Sequence, residues 1–298
     1  MQLQSLRCIT AIGGGHGLGR VLSTLSFMKH KLVGIVATTD NGGATGLLRA
    51  SQHCIAWGDI RNCLSQLVEQ PLAAEVLNYR FDSDSALKGH NFGNLLLYTL
   101  DQLSARPLDG IQLLSRLLNV DNRILPMSEC PTDLIATTSD GIQCHGEIHI
   151  DKLPNMPHKL ELSGQVEATP EAVRHIKNSQ LILIGPGSFM TSVMPPLLVP
   201  GICDALKSTR AKVVFIDNLV DEHGPAGELS LAEKLEFMKY ELGQQVVDLI
   251  LSNKKEKGLP VPVIGGLTSD TDVHYRHNTS SLLTTLEQAA HQLLVESA

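Results

Sequence analysis

Short unbroken apolar runs alternate with helical stretches at both ends of the chain, and a differently patterned block separates the two ends. Arg7–Ile12 is the first run and Lys31–Ala37 the second. Both are too short for a stable helix and rich in β-branched residues, so they predict strands, with a helix near Arg20–Lys29 between them. That rhythm is the start of a parallel α/β sheet. It returns at Gln180–Gly185, Ala211–Ile216 and Val246–Leu251 and closes in a helix from about Ser280 to Val295. The two α/β stretches are expected to share one sheet.

The intervening block reads differently. From Trp57 to about Leu118 the apolar positions take helical spacing, which predicts three or four helices in a segment at about 57–119. Arg123–Pro126, Leu134–Thr138, Ile142–Ile150 and Lys159–Leu162 read as strands, and Asp140-Gly141 between two of them is a hairpin signal. This predicts a small antiparallel β insertion at about 123–163. No internal repeat and no long Pro, Gly or Ser linker divides the chain, so a single domain over 1–298 is expected.

The glycines sit where strands end. Gly13, Gly14, Gly15, His16 and Gly17 follow the first strand, and a turn from strand to helix presents bare N–H groups and a positive helix end to a phosphate. The run matches neither G-x-G-x-x-G, since Leu18 stands where the last glycine would, nor a P-loop, since no G-K-[ST] follows. The second strand runs into Thr38-Thr39 and then Asp40, Asn41, Gly42 and Gly43, with Asp40 placed as a ribose-binding carboxylate would be; the same tetrad also makes an ordinary turn. Gly58-Asp59-Ile60 precedes Arg61 and Asn62, with Asp59 a candidate helix cap and Arg61 able to reach an anion. His90, Asn91 and Asn94 open another helix, and His90 is a candidate phosphate donor or acid; a capped helix start with a surface histidine is the bland alternative. Gly185, Pro186, Gly187 and Ser188 form a second strand-end glycine turn, with Thr191 and Ser192 as further hydroxyl donors.

No catalytic triad is legible, because Ser188 lacks a G-x-S-x-G setting and the acids form no spaced glycosidase pair. Asp40 and His90 are the only catalytic candidates. Composition narrows the partners further. A formal net charge of -7 and 4% aromatic residues argue against nucleic acid. No run approaches the ~20 apolar residues of a membrane span, and the first residues lack a secretory pattern, so a cytoplasmic protein is expected. The six cysteines show no C-x-x-C pair, and His145 and His149 have no third ligand nearby, so neither a disulfide nor a metal site is expected. A homodimer is a candidate assembly, since doubly wound domains often pair.

Taken together and in order, Gly13–Gly17, Thr39–Gly43, Gly58–Asn62, Tyr79–Phe81, Gly89–Leu95, Gly185–Ser188 and Tyr275–His277 closely resemble the gluconeogenesis factor family, itself related to the phospholactate transferases of deazaflavin coenzyme synthesis. The resemblance implies a Rossmann-like three-layer α/β/α sandwich with added elements. It also implies a cytoplasmic role in cell shape during growth on gluconeogenic carbon, and binding of a nucleotide sugar, UDP-N-acetylglucosamine. By position it carries over Gly13–Gly17 and Asp40–Gly43 as the nucleotide cleft, Gly185–Ser188 as a phosphate contact and Arg276 as a ligand contact. The sequence departs from the family pattern at His16, where threonine is common, at Asn41, where a second aspartate is usual, and after Asp217, where a Pro-Gly-Glu-Thr segment gives way to Asn218–Gly224. Two functional readings remain open: a nucleotide-sugar-binding regulator without a cofactor, and a phospholactate transferase-like enzyme in which Asp40 meets Mg2+ or a deazaflavin acceptor. A purely structural scaffold would leave the glycine turns idle.

Overall fold

The computed structural model describes residues 3–82 and 84–295. The strands are, in chain order, β1 (Ile9–Gly13), β2 (Leu32–Val36), β3 (Arg123–Pro126), β4 (Leu134–Thr137), β5 (Gln143–His145), β6 (Lys159–Leu162), β7 (Leu181–Ile184), β8 (Lys212–Ile216), β9 (Leu249–Leu251) and β10 (Val263–Ile264). Seven of them make one parallel sheet in the order β10-β9-β8-β7-β1-β2-β3, and β5-β4-β6 make a separate antiparallel sheet. The fold is α/β, and the two α/β stretches of the chain do share the large sheet.

The strands are continuous apolar runs because both faces of the sheet are covered by helices. Along β1, Ile9 and Ala11 join one core and Ile12 the other; along β7, Leu181 and Leu183 alternate with Ile182 and Ile184 in the same way. The helices Gly15–Thr24, Gly58–Leu67 and Thr279–Leu294 fill the first core with Leu18, Leu22, Ile60, Leu64 and Leu286. The helices Pro170–Asn178, Pro200–Ser208 and Leu231–Leu242 fill the second. No single helix among the described residues is long and apolar enough to cross a membrane.

Neighbouring strands β1 and β7 feed connections that leave on opposite faces. The chain runs from β1 to β2 through Gly15–Thr24 in the first core, and from β7 to β8 through Pro200–Ser208 in the second. This is a topological switch point, where the carboxyl ends of open parallel sheets leave a crevice. Both strand-end glycine turns lie there.

Four elements differ from the sequence reading. The first helix begins at Gly15 rather than near Arg20, because the glycine turn itself supplies the first helical residues, with Gly14 as N-cap. Gly43–Ser51, for which the sequence reading gave no helix, is a helix whose face buries Ala44, Thr45 and Leu48. Arg123–Pro126 pairs in parallel with β2 instead of joining the antiparallel insertion, since Ile124, Leu125 and Pro126 are all buried. The segment 142–150 is a strand only at Gln143–His145; Gly146, at φ 84°, breaks it, and Glu147–Ile150 is a short helix. The Asp140-Gly141 hairpin does join β4 to β5, with Ala136 opposite Cys144.

One ion pair is fully enclosed at the end of β8. Lys234 Nζ donates to Asp217 Oδ1 at 2.8 Å, and Ser252 Oγ donates to the other carboxylate oxygen at 2.9 Å. Both charged residues are buried, so each needs the other. Lys234→Met is therefore expected to cost about 3–5 kcal/mol by stranding the Asp217 charge. Urea unfolding of the variant, read by circular dichroism, checks this.

Candidate functional site

The two glycine turns are in backbone contact. A Cβ at Gly17 would stand 2.2 Å from the carbonyl oxygen of Pro186, so only glycine lets the turns approach this closely. Gly185 adopts φ 80°, a conformation that L side chains rarely take, and starts the second turn. Asn218 brackets that turn from β8: its Nδ2 donates to the Gly187 carbonyl at 2.9 Å, and the Gly187 N–H donates to its Oδ1 at 3.1 Å. The Phe189 N–H donates to the Glu222 carboxylate at 3.0 Å. Thr191 is buried and donates to Ser188 Oγ at 2.9 Å and to Asp151 Oδ1 at 3.3 Å, so it positions Ser188.

Beside these turns lies a cleft of about 840 Å³. His16, Gly17, Ser188, Asn218, Tyr275 and Arg276 are among its lining residues. The segment that carries Tyr275 and Arg276 is tied to the first helix by Arg20, whose Nε donates to the His277 carbonyl at 2.6 Å and whose guanidinium pairs with Asp270. Burial pushes the His277 imidazole down to about 4, so it packs as a neutral ring. Burial, and then the Arg61 and Arg276 guanidiniums, also lower the His16 imidazole. His16 is thus within electrostatic reach of two cationic side chains.

On the other side of the first turn lies a group of carboxyls. Asp59 was expected to cap its own helix; instead Trp57 occupies the N-cap, and the Asp59 carboxylate accepts from the Gly15 N–H and from Asn62. It therefore fastens the helix Gly58–Leu67 to the glycine turn. Asp40 Oδ1 accepts from the Gly42 N–H at 2.6 Å. The antiparallel insertion adds Glu147, held near by Asn41, whose Oδ1 accepts from the Ile148 N–H at 3.2 Å. Burial raises Asp59 to about 7, with Asp40 adding repulsion, and raises Glu147 to about 9, with Asp40 and Asp59 adding theirs.

Asn91, Asn94 and His90 lie at the start of the helix Phe92–Leu103, as read from sequence. Asn91 Oδ1 caps it by accepting from the Asn94 N–H at 3.1 Å. Arg61 packs against this start and donates to Asn78 Oδ1 at 2.8 Å. Of the sequence-predicted residues, the structure brings His16, Gly17, Pro186, Gly187, Ser188 and Arg276 around one cleft. It sets Asp40, Arg61 and His90 behind the first turn, and turns Asn41 and Thr191 toward protein partners.

Glu147, Asp151, Asn218 and Glu222 are absent from the sequence-predicted set. Glu147 and Asp151 sit in an insertion that reads as a β hairpin, and Asn218 and Glu222 in a loop with no phosphate-binding pattern. Only the position of Asn218, two residues beyond an apolar strand, pointed to the crevice.

Mg2+ was the one metal raised by the sequence. Asp40 and Asp59 supply the two carboxylates that Mg2+ commonly uses together with substrate phosphates, and a cation would relieve their repulsion. Among the described residues no group of three or more His, Cys, Asp or Glu side chains makes a closed metal cage. The chain thus offers a cation two carboxylates and leaves the rest of its shell to a ligand and water.

Glu147 sets a pH dependence. Its proton is held more tightly in the folded chain than in the unfolded one, so the contribution of Glu147 to stability is fullest below about 4.5 and is lost as pH rises toward about 9. Glu147→Gln is expected to raise the melting temperature at pH 8 by several degrees and to leave it unchanged at pH 4. Thermal melts of both proteins across that range check the sign.

Three comparisons bear on this site. The family model described as 2-phospho-L-lactate transferase CofD matches residues 9–283. A protein of Pasteurella multocida named "Putative gluconeogenesis factor" is 42% identical over 299 residues, covering 99% of this chain and 96% of that protein. One of the same name from Vibrio cholerae is 47% identical over 255 residues, covering 85% and 86%. A crystal structure of a UPF0052 family member from Bacillus halodurans superposes with a TM-score of 0.87 at 30% identity, covering 93% of this chain and 98% of that one. With its switch-point cleft, its paired glycine turns and a match spanning nearly its whole length, the chain belongs to the CofD family.

Proposed function

We propose that the chain is a gluconeogenesis factor: a cytoplasmic regulatory protein that binds a nucleotide sugar of the UDP-N-acetylglucosamine type and links that metabolite to cell shape. The observation that carries this reading is the backbone contact of the two glycine turns beside the 840 Å³ cleft. A diphosphate laid across the turns would meet N–H groups at the start of the helix Gly15–Thr24, the Ser188 hydroxyl and the Arg276 guanidinium. Tyr275, exposed at the rim, offers a ring face to a base. The printed names of the relatives from Pasteurella multocida and Vibrio cholerae support the physiological half of the reading. A homodimer belongs to the same proposal, and light scattering decides it.

A second reading rests on the carboxyl pair behind the first turn. Asp40, with Asp59 beside it, can orient an attacking hydroxyl, and Arg61 and His90 can meet developing phosphate charge, as a phospholactate transferase-like reaction would need. Bound Mg2+ would hold phosphate oxygens there and stabilise their charge.

Each reading has its own test. Calorimetry is expected to show saturable binding of UDP-N-acetylglucosamine without added metal, weakened about tenfold or more by Arg276→Ala. No heat from a folded preparation would overturn the regulator. For the transferase, Asp40→Asn should abolish product formation from a deazaflavin acceptor and leave the fold intact by circular dichroism. Absence of product with the unaltered protein, with or without Mg2+, would remove that reading.

A further inference from the structure

Two guanidiniums, those of Arg61 and Arg80, have no carboxylate ion-pair partner among the described residues. The backbone of Arg80 bridges to Asn91, two residues before the Gly93 against which Arg61 packs, and Arg61 is lowered first by burial and then by the Arg80 charge. Asp59 and Asp40 lie within electrostatic reach of Arg61, but not within ion-pair distance. Among the described residues each guanidinium donates to a neutral acceptor, Arg61 to Asn78 Oδ1 at 2.8 Å and Arg80 to the Gly89 carbonyl at 3.2 Å.

The surroundings add positive potential. The helices Gly43–Ser51, Gly58–Leu67 and Phe92–Leu103 all begin here. A Cβ at Gly43 would lie 3.9 Å from the Arg80 guanidinium, and one at Gly93 would lie 2.8 Å from Arg61 Cγ. Asn94 Nδ2 reaches Thr45 Oγ1 at 3.4 Å, tying two of these helix starts together. Helix N-termini favour negative charge, so a pair of cations at three of them is electrostatically costly until an anion arrives. Unpartnered polar atoms gather at the same place. Asn91 Nδ2 and Asn94 Oδ1, on residues each only 1% exposed, have no hydrogen-bond partner among the described residues, and neither do Arg61 Nε and His90 Nδ1.

We propose that Arg61 and Arg80, with His90 and Asn91 beside them, form a second oxyanion subsite that takes the phosphoryl group of a small ligand bound at the same time as the nucleotide. The inference rests on the nucleotide reading only for the word second; the subsite itself stands on the Arg61–Arg80 pair. A planar guanidinium fork matches phosphate oxygens in pairs, and two forks suit a dianion. Neither Arg61 nor Arg80 is among the residues that line the switch-point cleft, which sets their guanidiniums apart from the Arg276 side of the site. That separation favours two ligands over the two ends of one.

Inorganic phosphate is the probe, titrated by calorimetry into the whole protein with and without saturating UDP-N-acetylglucosamine. Phosphate is expected to bind in both states, and Arg80→Gln to weaken that binding about tenfold, with Arg80→Lys losing less. Arg80 is exposed, so its variants should melt as the unaltered protein does. Arg276→Ala should weaken the UDP-sugar and spare the phosphate site that depends on Arg80. Phosphate binding that is absent, unchanged in Arg80→Gln, or wholly displaced by the UDP-sugar overturns the subsite. Failure of the UDP-sugar alone to bind overturns the nucleotide reading and leaves the Arg80 dependence to decide the subsite.

Discussion

Backbone packed on backbone, where the turn after β1 meets the turn after β7, is the constraint on which the site depends. Side chains cannot intervene there, because a single methyl at Gly17 would collide with the Pro186 carbonyl. The sheet order makes the meeting unavoidable, since β1 and β7 are neighbours whose connections depart to opposite faces. Long-range bonds then hold the turns in place. Asn218 brackets Gly187 from β8, Asp59 fastens Gly15 from the next helix but one, and Arg20 draws in the segment that carries Arg276.

Around this contact the charges are sorted by position. His16 lies within electrostatic reach of Arg61 and Arg276, while Asp59 and Glu147, buried and repelled by Asp40, hold protons more tightly than free carboxyls do. The antiparallel insertion completes the second group. Its Glu147 arrives through the bond between Asn41 and Ile148, at the position where the sequence departs from the usual family aspartate. Cationic and acidic halves within one site suit recognition of a phosphorylated ligand whose charge is met on one side and whose hydroxyls are met on the other.

Much of the frame was legible because buried parallel strands write themselves as unbroken apolar runs. The glycine turns were legible for a related reason: a glycine at a strand's end marks a close approach that other residues forbid. What escaped depends on tertiary partners. The glycines and threonines of Gly43–Ser51 resemble a loop until Thr45 and Leu48 are seen to be buried. Glu147–Ile150 alternates like a strand, yet Gly146 turns it into a helical hook. Asp59 has the sequence of a cap, and only the nearness of Gly15 shows whom it serves. Arg80 lies in the Tyr79–Phe81 motif, which carries the family resemblance, but nothing in its spacing shows that the fold sets it near Arg61.

The most direct measurement is a crystal structure of the protein soaked or grown with UDP-N-acetylglucosamine. The account predicts diphosphate density between the Gly14–Gly17 and Gly185–Ser188 turns, with Arg276 turned onto it and the base near Tyr275. Nucleotide density elsewhere on the molecule, with those turns left bare, would contradict it.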